Sequence, residues 1–122
     1  MIRYLIPVAL LLSASPAVAE SDELTPVPVG AVIGRAYPGD GAPSTIRFIN
    51  VRPAPVSLVW IGGDGKEHLY AIIDTGQEVI QPTFVTHRWL VKDNRDGTPI
   101  EAFISTRSAI RDAGTSQIAL IR

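Results

Sequence analysis

The stretch TFVTHRWLVKD, residues 83–93, sets a hydroxyl (Thr83), an imidazole (His87) and an indole (Trp89) within seven positions. The whole chain holds only two His and two Trp. On an extended strand His87 and Trp89, two residues apart, point to the same side. Trp60 lies at the end of the run VSLVWI, just before Ile61, and Tyr70 lies in the run after the next turn, so both can reach that side. Two indoles and a phenol make an apolar floor with polar tips. A threonine hydroxyl and an imidazole beside them can pair with a hydroxyl on a ligand. Aromatic residues on strands also form plain core and cross-strand pairs. His87 fits that second reading less well, because an imidazole buried without partners is costly.

Other chemistry finds little support. The run GGDG, residues 62–65, has no Lys-Ser/Thr pair and no helix after it, so it is a hairpin turn and not a phosphate cradle. DNRDG, residues 93–97, lacks the register and the closing Glu of a calcium loop, and Asp and Gly there suit a solvated turn. Two His without a cysteine make no zinc site, and the chain contains no Cys. No Gly-x-Ser-x-Gly elbow occurs. Glu67, Asp74 and Glu78 are carboxylates that no spacing pairs as a general acid and base. A net charge of −1 provides no basic face for nucleic acid. The expectation is a protein that is not an enzyme and needs no metal or cofactor.

The elements that must position these residues are short strands. STIRFINV alternates apolar and polar residues with the period of a strand, and RPAP turns the chain into VSLVWI. KEHLYAII follows the GGDG turn, and DTGQ leads into EVIQPTF, where Pro82 belongs at an edge or a strand end. THRWLVKD, IEAFIS and QIALIR complete the set, with RDAGTS, residues 111–116, as the last turn. Short strands with regular turns predict an all-β fold, a small β-sandwich or barrel. Residues 44–122 form this domain. Residues 20–43 are rich in Pro and Gly and predict an extended lead-in, either flexible or carrying a short edge strand at 27–33.

Residues 1–19 read as a cleaved signal peptide. Arg3 supplies the positive start, an apolar run follows, and Ala17-Val18-Ala19 forms a small-residue cleavage site before Glu20. The apolar run is shorter than the roughly 20 residues a membrane span needs. The chain is therefore expected to be exported, to the periplasm or the medium, and free of the membrane after cleavage.

The segment from Ser44 to Asp93 resembles the β-domain of the von Hippel-Lindau family, and the likeness continues more loosely through IEAF and QIAL. Asn50 precedes Trp60 by ten residues, Trp60 precedes Tyr70 by ten, and Gly76 precedes His87 by eleven, before the H-x-W-L-x-x-D run. The resemblance implies a β-sandwich that recognises 4-hydroxyproline in an extended peptide. It places the ligand pocket on Trp60, Tyr70, Thr83, His87 and Trp89. The aromatic rings would pack on the pyrrolidine ring. Thr83, where the family has Ser, and His87 would bond its hydroxyl, and Tyr70 would bond the ligand main chain. Phe84 stands where the family has Tyr, beside the pocket. The family's helical domain, which recruits elongin and a ubiquitin ligase, has no counterpart in this sequence, so neither is expected as a partner.

Together these readings favour an exported binding module for hydroxyproline or a protein that bears it. The alternative is a structural module that pairs with a protein partner through an edge strand.

Overall fold

The computed structural model describes residues 23–108 and 117–122. The leader expected at 1–19 and the turn expected at 111–116 lie outside the described residues. Seven strands form: β1 (Pro43–Asn50), β2 (Val56–Ile61), β3 (Glu67–Ile73), β4 (Glu78–Phe84), β5 (Arg88–Asp93), β6 (Pro99–Ile104) and β7 (Gln117–Ile121). They make a three-stranded sheet in the order β4-β1-β7 and a four-stranded sheet in the order β3-β2-β5-β6. All pairings between these strands are antiparallel except β1 with β7. This is the β-sandwich the strand pattern predicts. Most strand ends fall within a residue or two of expectation. Pro82 lies on β4, an edge strand, where its missing N–H costs no ladder bond.

The alternation in β1 turns Ser44, Ile46, Phe48 and Asn50 inward, and all four are buried. Ile46 and Phe48 meet Leu58, Trp89, Val91, Phe103 and Ile121 in the core between the sheets. β2 behaves differently. Its residues are buried on both sides, as expected of a central strand covered on each face. The second cover is the lead-in, whose Val32 and Tyr37 pack with Val59, Ile61, Leu90 and Ala102 in a separate core on the outer face of the larger sheet.

The expected edge strand at 27–33 is not present. Val27 makes a single bridge to Ala102, and Pro28 has no N–H with which to extend the ladder. The chain turns instead through a 3-10 helix at Val29–Ala31, with Val32 N–H bonding the Val29 carbonyl at 3.1 Å. A further bridge joins Glu23 to Ile118. The lead-in thereby pins the β6 and β7 sides of the sandwich together. The GGDG turn packs beneath it. Gly65 has a φ of +87°, and the Gly34 carbonyl oxygen lies 2.8 Å from where a Cβ would stand, so no larger residue fits.

The DNRDG segment is a self-bonded turn. The Asp93 carboxylate accepts from the Arg95 backbone N–H at 2.8 Å and from its guanidinium at 3.1 and 2.8 Å. Those side-chain and backbone bonds lower the Asp93 carboxyl to about 2, so the turn keeps its charge pairing well into acid.

Candidate functional site

Two irregularities of the backbone build the site. In β3 the pairing with β2 slips: Leu58 faces Ala71 and Val59 faces Leu69, which leaves Tyr70 as the extra residue of a β-bulge. A bulge re-aims the side chain it carries. Tyr70 is 52% exposed, yet its ring lies 5.1 Å from Trp89 and 6.1 Å from Trp60, edge-on to both.

The second irregularity corrects the expected strand at 86–93. A turn occupies residues 85–86, β5 begins only at Arg88, and His87 stands between them. Thr86 has a φ of +84°, an outlying conformation for a β-branched residue. It is held there by its N–H on the Ser105 carbonyl at 2.9 Å and its hydroxyl on the Gly39 carbonyl at 3.1 Å. Backbone strain of this kind gathers at ligand sites, and here it directs the next side chain, His87.

All five expected residues, Trp60, Tyr70, Thr83, His87 and Trp89, line one cavity of about 360 Å³. The larger sheet contributes Trp60, Tyr70 and Trp89, and β4 of the smaller sheet contributes Thr83. Trp60 aligns with Trp89 on one side and His68 on the other. Its indole lies in tilted contact with both imidazoles of the chain, 5.0 Å from His68 and 5.3 Å from His87. Trp89 has a double role. It is 1% exposed and belongs to the core, while its edge still walls the cavity.

The polar groups are bonded in a definite sense. The Trp89 indole N–H donates to the Thr83 hydroxyl at 3.0 Å, so that oxygen accepts while its own proton remains available. His87 Nε2 lies 2.5 Å from an Asp40 carboxylate oxygen. A carboxylate can only accept, so Nε2 carries the proton, and in the neutral ring Nδ1 is the acceptor. The Trp60 indole N–H is buried without a well-formed bond, although it helps draw down the phenol of Tyr37. Burial raises Tyr37 on balance, against the Trp60 N–H and Arg88. That phenol donates to the Ile61 carbonyl, and its ring carries the Arg88 guanidinium at 4.6 Å.

Four further residues, Asp40, Gly63, Pro82 and Phe84, also line the cavity, and two of them bear on its chemistry. Phe84, expected beside the pocket, lines it, with its ring 5.2 Å from His87. Asp40 was counted only as part of the lead-in. The one signal that pointed to it is the glycine that follows, since Gly41 approaches Val85 so closely that a Cβ would lie 2.8 Å from its carbonyl oxygen.

A second hollow, about 430 Å³, lies between the lead-in and β6–β7. It has no aromatic wall. Its buried side chain Gln117 is fully engaged, donating to Ser44, Ser105 and the Thr45 carbonyl and accepting from Thr106 and Arg107. Among the described residues, no three His, Asp or Glu converge as metal ligands.

The family model of the VHL beta domain matches residues 40–103, more than half of the chain. The chain belongs to the VHL β-domain family. The matched segment starts at Asp40 and contains every residue that lines the aromatic cavity. The VHL β-domain is a recognition domain rather than a catalytic one. A comparison with curated proteins finds no match.

Proposed function

We propose that this VHL β-domain is an exported binding module for hydroxyproline, carried in a peptide or protein. The observation that carries the reading is the convergence of Trp60, Tyr70, Thr83, His87 and Trp89 on one cavity. Its rings suit the faces of a pyrrolidine. Its Thr83 hydroxyl, whose own proton stays available, and its His87 imidazole suit a ligand hydroxyl. A site built on such groups rejects a ligand that leaves them unpaired, and does so more strongly than apolar fit can. Export rests on the leader, and an intact mass of the exported protein beginning at Glu20 is the result that supports it.

Calorimetry of a hydroxyproline peptide against its proline twin tests the ligand. Losing the hydroxyl leaves polar groups unpaired at about 1–3 kcal/mol each, and each 1.4 kcal/mol is about tenfold. The hydroxyproline peptide is expected to bind about tenfold tighter or more. His87→Ala and Thr83→Val are expected to erode that ratio. Equal affinity for the two peptides would overturn the reading.

A second reading has its own observation. The lead-in bridges strands of the β6 and β7 edges, whereas β3 and β4 carry no neighbouring strand on their outer sides among the described residues. Open edges of this kind accept a partner strand. Absence of peptide binding together with self-association on a sizing column would favour it.

A further inference from the structure

We infer that the pocket selects a positively charged ligand, and that Asp40 is the residue that reads the charge. The inference rests on the reading of the cavity as a ring-binding site and adds the charge of what enters it. Among the described residues, Asp40 is the only carboxylate that lines the cavity, and no Lys or Arg lines it. Its side chain is 61% exposed, so its carboxylate stands at the mouth.

The carboxylate is built in, not adrift on a loose segment. On one side Gly39 accepts from the Thr86 hydroxyl at 3.1 Å. On the other, Gly41 N–H bonds the Val85 carbonyl at 2.9 Å, and Val85 N–H bonds the Ala42 carbonyl at 2.8 Å. The backbone is thus fastened immediately before and after Asp40, against the same turn that aims His87. One carboxylate oxygen takes the His87 Nε2 proton at 2.5 Å, and no other bond engages the second oxygen among the described residues. The Asp40 carboxylate therefore keeps an unengaged oxygen at the mouth of the cavity, beside the rings of Trp60, Tyr70 and Phe84.

Aromatic faces and a carboxylate attract the same kind of group. A ring quadrupole presents negative potential to a cation, and an opposed charge across an interface favours one partner and repels the other. An anionic flank on the ligand meets both penalties at once. The chemistry recognised is therefore a pyrrolidine ring with an ammonium or guanidinium close by. Two sources supply it: a lysine or arginine next to the ring, or the ring's own nitrogen when it is free and protonated at a peptide N-terminus.

The experiment measures binding of hydroxyproline peptides flanked by Lys, Ala or Glu, each blocked at its N-terminus, and of the Ala peptide with a free hydroxyproline N-terminus. The parent protein, Asp40→Asn and Asp74→Asn are compared at low and high salt. The parent is expected to bind the Lys peptide about tenfold tighter than the Glu peptide, with the ratio shrinking as salt screens the charges. In Asp40→Asn the ratio is expected to fall towards one while the melting temperature holds. Asp74→Asn removes the same charge from an exposed position outside the pocket, and it is expected to keep the ratio. Tighter binding of the free N-terminus than of the blocked one assigns the charge to the ring nitrogen; preference for Lys alone assigns it to the flank. Equal affinities in the parent, a ratio that survives Asp40→Asn, or a ratio lost equally in Asp74→Asn would overturn the inference. So would absence of binding to every peptide. Proline twins of the same peptides separate the two ideas, since a charge preference without a hydroxyl preference leaves Asp40's role standing and removes the hydroxyproline reading.

Discussion

Phe48→Ala is expected to destabilise the domain by about 3–5 kcal/mol, the range for deleting a buried aromatic side chain. Phe48 is fully buried at the centre of β1. Its ring meets Trp89 at 5.8 Å and Phe103 at 6.1 Å, one from each of two neighbouring strands of the opposite sheet. The substitution therefore opens a cavity where the two sheets touch, and neither sheet can collapse into it without breaking its ladder. Native stability is typically about 5–15 kcal/mol, so the loss is a large share of the total. Denaturant midpoints of parent and variant measure it. A change within about 0.5 kcal/mol, as at an exposed position, would mean that Phe48 does not join the sheets.

Trp89→Ala is expected to cost a similar amount and to weaken ligand binding as well. Its ring is 1% exposed and packs on Phe48, so the stability loss again falls near 3–5 kcal/mol. It also withdraws the donor from the Thr83 hydroxyl and one wall of the cavity. Trp89→Phe separates the contributions. A phenyl ring keeps most of the packing but has no N–H, so the buried Thr83 oxygen loses its partner at about 1–3 kcal/mol. The expected order of stability is parent, then Trp89→Phe, then Trp89→Ala. Unlike loss of His87, loss of Trp89 is expected to weaken hydroxyproline and proline peptides alike, because ring packing does not depend on the hydroxyl. A Trp89→Ala protein with parental stability would contradict the packing described for it.

The strands were legible because each carries a period of two between turn residues. The inward set Ile46 and Phe48 follows directly from STIRFINV. The five pocket residues were legible as types and spacings, and the resemblance placed them in one site. What escaped has a common cause. The Tyr70 bulge, the φ of Thr86 and the 3-10 turn after Val27 are local departures from regular backbone, selected by tertiary contacts that no period reveals. Asp40 escaped for a related reason: its partner, His87, is 47 positions away. The double burial of β2 likewise depends on where the lead-in returns, which its Pro and Gly content alone does not say.

The parallel pairing of β1 with β7 has a consequence for the order in which the protein can form. The larger sheet is made entirely of strands between Val56 and Ile104, joined largely through nearby turns. The smaller sheet must bring Ser44 to Gln117, 73 positions apart. Loop closure over such a span costs entropy before any contact repays it, and non-local pairing slows folding. The smaller sheet is therefore expected to finish last. Because the cavity takes Thr83 from β4 of that sheet and its indoles from the other, a chain whose two sheets have not yet docked has half a receptor. Ligand affinity is thus expected to report, besides the pocket itself, whether the sheets have closed on one another.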